Sequence, residues 1–311
     1  MEPSQNRPQA SDFHPEVLGL FDQYVHGLID RRAFLERAAR FAVAGTTAVT
    51  LLESLSPKFA QAQKVSPSDE RLDASFVEFP SPAGNGKVRA YLVRPAKVEK
   101  KLPPVLVVHE NRGLNPHIED IARRFALEGF LVLAPDALFT LGGYPGDEDR
   151  ARELFQKLDK PKTIEDFVAS AKYLREHADA NGKLGVVGFC YGGGIAHQLA
   201  TRLPELDVAV PFYGSSPAPE LAANVKAELL VHLAAEDERI NASFPAYETA
   251  LKAAHVKFEA FKYPGTQHGF HNDTTPRYDE AAAKLAWKRT LALFNRKLRT
   301  RPAGKAAAPA P

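Results

Sequence analysis

The segment Gly188-Phe189-Cys190-Tyr191-Gly192-Gly193 holds the single cysteine of the chain, directly after the apolar run Leu184 to Val187 and before a helical pattern, Gly194 to Leu203. A core cysteine needs no glycines around it. A nucleophile presented on a sharp strand-to-helix turn does, because neighbours two residues either side must lack a Cβ. The helix that follows aims its N-terminal dipole at the sulfur and favours thiolate. Such a nucleophile needs a base and an acid that orients the base, in the chain order nucleophile, acid, histidine. Two polar loops after apolar runs supply them. Glu236-Asp237-Glu238 follows Leu229 to Leu233, and His268 follows Phe258 to Tyr263. The residues alone leave Asp237 open against Glu236 and Glu238. His271 rivals His268 but lies further from the strand end. His268-x-x-His271 has no third ligand at a meaningful spacing, so no metal and no cofactor are expected.

These residues need elements to hold them. Ser75 to Phe79, Val88 to Val93, Val105 to Val108, Phe130 to Leu133, Leu184 to Val187, Val208 to Val210, Leu229 to Leu233 and Phe258 to Tyr263 read as strands. Ile118 to Leu127, Ile164 to Leu174, Gly194 to Leu203, Tyr247 to Ala253 and Asp279 to Leu298 read as helices. Their alternation predicts an α/β fold with a mostly parallel, doubly wound sheet flanked by helices. His109, His197 and His232 are expected to be structural.

The chain has 311 residues, 44% hydrophobic and 25% charged, with a formal charge of +2. That balance offers no electrostatic footprint for nucleic acid. One cysteine excludes an internal disulfide and any multi-thiolate metal site. Residues 1–62 are expected to be an export leader. Arg31 and Arg32 form a twin-arginine-like pair, a weakly apolar run from Phe41 to Leu52 follows, and Ala60-Gln61-Ala62 has the small-x-small pattern of a cleavage site. A cytoplasmic amphipathic helix over Phe34 to Leu55 is the alternative. The apolar period Val17-Leu18-Leu20-Phe21-Tyr24-Val25-Leu28 has no role in that scheme. Residues 63–300 form the expected catalytic domain and 301–311 a disordered tail. The expected partners are the export machinery and a small-molecule substrate. A periplasmic monomer without a membrane anchor in its mature form follows.

Over Ser75 to Leu298 the chain resembles the dienelactone hydrolases, or carboxymethylenebutenolidases, of the α/β-hydrolase superfamily. The likeness rests on Gly188 to Gly193, Asp237, His268-Gly269-Phe270, and Glu110 after the strand Val105 to Val108. It implies the α/β-hydrolase fold and the triad Cys190, Asp237 and His268. It also implies that Glu110 meets the resting thiol and helps deprotonate it as substrate enters. A solvated carboxylate paired with Arg112 is the alternative. Backbone N–H groups of Tyr191 and Asn111 would form the oxyanion hole.

The expected reaction is hydrolysis of a small ester or lactone through a thioester. A thiol redox or binding protein on the same fold, or a peptidase or lipase, are the other classes. Relatives that act on dienelactone hold its carboxylate with arginines after the histidine and after a Pro-Asp. Here neither His268 to Asp273 nor Pro135 to Gly143 contains one. That absence predicts a preference for neutral substrates, unless the fold carries Arg112, Arg150 or Arg277 over the pocket. Phe139, Leu141, Tyr144, Phe212, Tyr213 and Phe270, with Asn272, are the candidates to line it.

Overall fold

The computed structural model describes residues 8–42, 46–98 and 100–299. The expected tail, 301–311, lies outside them. Eight strands form one sheet in the order β1-β2-β4-β3-β5-β6-β7-β8. They are β1 (Leu72–Ser81), β2 (Gly86–Pro95), β3 (Pro104–Val108), β4 (Leu131–Pro135), β5 (Gly185–Phe189), β6 (Val208–Phe212), β7 (Glu228–Glu236) and β8 (Phe258–Gln267). The β1–β2 and β2–β4 pairings are antiparallel; from β4 to β8 the sheet is parallel. β3, β4, β5 and β6 are buried at every position, which is why they read as unbroken apolar runs rather than alternating ones.

Successive strand residues serve opposite layers. Leu106, Val108 and Val186 pack with Phe167, Leu174, Ile195 and Leu199, while Val105, Val107 and Val187 pack with Ile121, Phe125 and Phe294. The first layer is built on α7 (Lys160–Glu176), α8 (Tyr191–Arg202) and α10 (Phe244–Ala253), the second on α5 (Pro116–Leu127) and α11 (Glu280–Leu298). Shorter α6 (Glu148–Gln156) and α9 (Glu238–Asn241) stand near the carboxyl ends of the strands. In open parallel sheets that edge is where sites are built.

Residues before the sheet fold as α1 (Pro15–Val25), α2 (Arg31–Ala38), α3 (Ala48–Leu55) and α4 (Phe59–Ala62). The unassigned apolar period finds its purpose here. Val17, Leu18, Leu20, Phe21 and Tyr24 are the buried face of α1, closed by Phe34, Ala38, Leu52 and Leu55 into a core of its own. His14 caps α1 and Asp30 caps α2, each accepting a backbone N–H from the first turn. The group is tied to the sheet domain by Lys58 N–H donating to Thr274 O at 2.8 Å and Val65 N–H donating to Asp120 at 2.8 Å. Among the described residues no helix is long and apolar enough to cross a membrane.

Candidate active site

Cys190 sits at the turn from β5 into α8 with φ 56° and ψ −113°, a left-handed-side conformation that costs a non-glycine residue energy. The flanking glycines are what permit it. A Cβ on Gly188 would lie 1.9 Å from Gly192 O, and one on Gly192 would lie 2.3 Å from Val108 O. Tyr191 opens α8, so its N–H has no intrahelical acceptor. It lines the cavity at the sulfur together with Asn111, the other expected oxyanion donor.

His268 and Asp237 meet at the same edge, from the ends of β8 and β7. His268 Nδ1 donates to Asp237 Oδ2 at 2.5 Å, with both side chains buried. Glu236 and Glu238 are exposed to solvent. One ring nitrogen of His268 and the Cys190 sulfur lie within 4.8 Å of each other. Burial disfavours the His268 imidazolium, but the sulfur's charge and the hydrogen bond to Asp237 outweigh it and push the ring up to about 10. Burial likewise opposes the Cys190 thiolate, and the charge of His268 with hydrogen bonds from His26 and His268 brings it well below the ordinary thiol value. The pair therefore favours thiolate and imidazolium.

Glu110 lies half-buried beside them. Burial and the charge of Cys190 push its carboxyl up to about 7. Its Oε2 accepts from Asn272 Nδ2 at 2.9 Å. A second imidazole also meets the sulfur: Nε2 of His26 lies 3.5 Å from it, carried at the end of α1. Sequence reasoning missed His26, whose only signal was the apolar period of the helix that carries it.

The cavity at Cys190, about 480 Å³, is lined by His26, Asn111, Phe155, Tyr191, Ile195, Arg239 and His268 among others. Most of the aromatic residues expected there stand elsewhere. Phe139 lies beneath the Lys87 ammonium, 5.6 Å from its ring centre, and Leu141 is exposed. Phe212 and Phe270 are fully in the core, Phe270 against Tyr263 at 4.9 Å. Tyr213 is buried but touches the site, its ring 5.0 Å from that of His268. Asn272 and Tyr144 face a neighbouring cavity that Glu110, Arg112, Arg277 and α1 enclose. Loop aromatics carry no periodicity, so sequence cannot tell core from pocket.

The cations also differ from expectation. Arg277 is close to the site but donates to Asp22 of α1 at 3.2 Å, and Arg112 donates to Val25 O. Arg150 does not line the cavity. Arg239, two residues past Asp237, does, as does Lys160. The sulfur's cavity therefore carries cations that the loops after His268 and Asp136 lack.

His109, His197, His232 and His271 stand in packing and hydrogen-bonding roles away from the sulfur. His109 Nδ1 donates to Glu110 O and its Nε2 accepts from Ala137 N–H. His232 pairs with Tyr263 and Thr290. His197 packs against Tyr247. His271 stacks on Phe189 at 5.3 Å, and burial holds it down near 3.

The profile of the dienelactone hydrolase family matches residues 88–298, spanning the elbow, Asp237 and His268. The chain belongs to the dienelactone hydrolase family. A second profile, described as YqhI-like, matches residues 5–42, the segment that contains α1 and α2. A protein of Escherichia coli named carboxymethylenebutenolidase is 34% identical over 241 residues, 73% of this chain and 88% of its own. A Bradyrhizobium protein named as a 2-oxo-3-(5-oxofuran-2-ylidene)propanoate lactonase is 34% identical over 223 residues, 67% of this chain and 89% of its own. A solved Klebsiella pneumoniae structure named as a dienelactone hydrolase superposes with a TM-score of 0.64 at 31% identity, covering 72% of this chain and 99% of that one. As a member of this family the chain is a carboxylic ester hydrolase on the α/β-hydrolase fold.

Proposed function

We propose that this dienelactone hydrolase relative cleaves small esters or lactones by acyl transfer to Cys190, with His268 as acid and base and Asp237 orienting the ring. The reading rests on one convergence: a strained, glycine-flanked thiol faces an imidazole whose far nitrogen is held by a buried carboxylate. The sulfur attacks the acyl carbon and forms a thioester, while the N–H groups of Tyr191 and Asn111 receive the developing oxyanion. The His268 imidazolium gives its proton to the leaving oxygen. As a neutral ring it then takes a proton from water, whose oxygen attacks the thioester and releases thiolate and acid. Asp237 keeps Nδ1 protonated throughout, so that Nε2 is the nitrogen that works.

Arg239 and Lys160 at the cavity support an acyl group or lactone that carries a carboxylate. The propanoate lactone in the name of the Bradyrhizobium relative supports the same class. Export through Arg31 and Arg32 into the periplasm, as a monomer, completes the proposal; both arginines are exposed. Cell fractionation of an Arg31→Lys, Arg32→Lys chain tests the export, and retention in the cytoplasm is the expected result.

The chemistry is tested with p-nitrophenyl acetate, neutral lactones and dienelactone, using wild type and Cys190→Ala. Turnover by wild type with loss in the variant is expected. Silence of both would overturn the hydrolytic reading.

A further inference from the structure

The N-terminal helices do more than cover the sheet domain. Helix α1 ends over the elbow, where Val25 O accepts from Asn111 Nδ2 at 2.9 Å and from Arg112 Nη2 at 3.2 Å. Tyr24 O accepts from Arg152 Nη1 at 2.8 Å, and the Arg152 guanidinium lies 4.2 Å from the Tyr24 ring centre. The Tyr24 hydroxyl donates to Asp149, which Arg31 also meets at 2.9 Å. These bonds fix the residue that follows α1, His26. Its ring is edge-on to that of His268, with centroids 4.6 Å apart. Its Nδ1 donates to Asp22 O at 2.8 Å and lies 3.3 Å from the Asp22 carboxylate, so Nε2 is the nitrogen left for the sulfur.

We propose that His26 is a catalytic residue of this chain, a second imidazole on the reacting sulfur that takes the proton of the resting Cys190 thiol and holds the thiolate. The inference rests on Cys190 being the nucleophile. One proton moves from Sγ to Nε2, giving thiolate beside imidazolium, and it stays on His26; His268 takes its own proton from solvent water before acylation, gives it to the leaving oxygen, and regains one from the water that attacks the thioester. Asp22 stands to His26 as Asp237 stands to His268: a carboxylate behind Nδ1 that fixes the tautomer and favours the charged ring. Arg277 in turn holds Asp22. Glu110, turned to Asn272, is free of that duty.

The charged and titratable groups facing His26 are Asp22 from its own helix, Cys190 from the elbow, His268 from the loop after β8, and Arg239 of α9. Arg239 Nη2 lies 3.0 Å from Nε2 and opposes the imidazolium, but its exposed side chain can turn to water. The Asp22 carboxylate, half-buried, is held in place by Arg277 at 3.2 Å.

The single cysteine makes the test clean, because alkylation reports one sulfur. Iodoacetamide incorporation into the full-length chain is measured from pH 5 to 9 for wild type, His26→Gln and Asp22→Asn, with thermal melts to establish folding. Wild type should react with a midpoint well below the ordinary thiol range. His26→Gln should move that midpoint up, lowering the rate at pH 6 at least about tenfold while the plateau at high pH is kept. Asp22→Asn should shift it the same way by less. An unshifted profile in a folded His26→Gln or Asp22→Asn chain overturns the inference, as does an ordinary midpoint in wild type. Alkylation does not require turnover. A shifted profile in a protein that hydrolyses no ester would refute the proposed hydrolysis and leave the role of His26 standing.

Discussion

Asp237 Oδ2 accepts from His268 Nδ1 at 2.5 Å, and both side chains are buried, while the carboxylates on either side of Asp237 in the chain are exposed. Three adjacent acids of the same chemistry are thereby sorted by one geometric fact. Asp237→Asn should keep the fold and lower turnover by about 10³ to 10⁴, because the amide favours the wrong imidazole tautomer. Glu236→Gln and Glu238→Gln should stay within about twofold of wild type. Steady-state rates on p-nitrophenyl acetate decide it, and a silent Asp237→Asn would remove Asp237 from the triad.

Glu110 predicts a pH signature in stability. Burial and the Cys190 charge raise its carboxyl from the ordinary 4.5 to about 7. The folded chain thus holds a proton there that the unfolded chain releases earlier. The resulting stabilisation is complete below the unfolded value and is lost as the pH rises through about 7. The whole effect is on the order of 3 kcal/mol. Glu110→Gln is neutral at every pH, so its melting temperature should gain on that of wild type between pH 5 and pH 8. A constant offset between the two would refute the shift.

The elbow glycines are not equivalent. A Cβ at Gly192 would meet Val108 O at 2.3 Å, whereas one at Gly194 would have nothing nearer than Ser215 O at 3.7 Å. Gly192→Ala should abolish activity and cost several kcal/mol, about 2 or more, since backbone must move. Gly194→Ala should melt at or above the wild-type temperature, because alanine is favoured over glycine in a helix by about 1 kcal/mol. Equal losses in both would show that the turn is looser than described.

Arg239 should sort substrates by charge. Arg239→Gln is expected to raise KM for a carboxylate-bearing ester about tenfold and to leave its methyl ester nearly unchanged, with the difference shrinking at high salt. Equal effects on both esters would mean that Arg239 does not meet the substrate.

The active chain should retain its N-terminus. Cleavage after Ala62 would remove His26 and the carbonyls of Tyr24 and Val25 that accept from Arg152, Asn111 and Arg112 beside the elbow. Intact mass of purified, active protein should include residues before Ala62. A fully active chain beginning at Gln63 would contradict this and favour a cleaved leader.

The sheet and the Cys190, Asp237 and His268 loops were legible in the sequence for a physical reason. Parallel strands buried on both faces leave continuous apolar runs, and the chemistry follows each run within a few residues. His26 was not legible, because its contact with Cys190 spans 164 residues and depends on how α1 docks. Arg239 beside Asp237 carries no signal for a similar reason, since it lies on a short helix whose docking brings it to the cavity. Phe139 and Phe270 show the converse: aromatic type suggested a pocket, and only packing decides between pocket, core and surface.

The central claim, covalent catalysis at Cys190, is tested most directly by mass spectrometry of protein acid-quenched during turnover of p-nitrophenyl acetate. The account predicts one acetyl group on the peptide containing Cys190 in wild type, increased in Asp237→Asn if deacylation slows, and absent in Cys190→Ala. Acetyl on another residue with Cys190 unmodified, or undiminished turnover by Cys190→Ala, would contradict it.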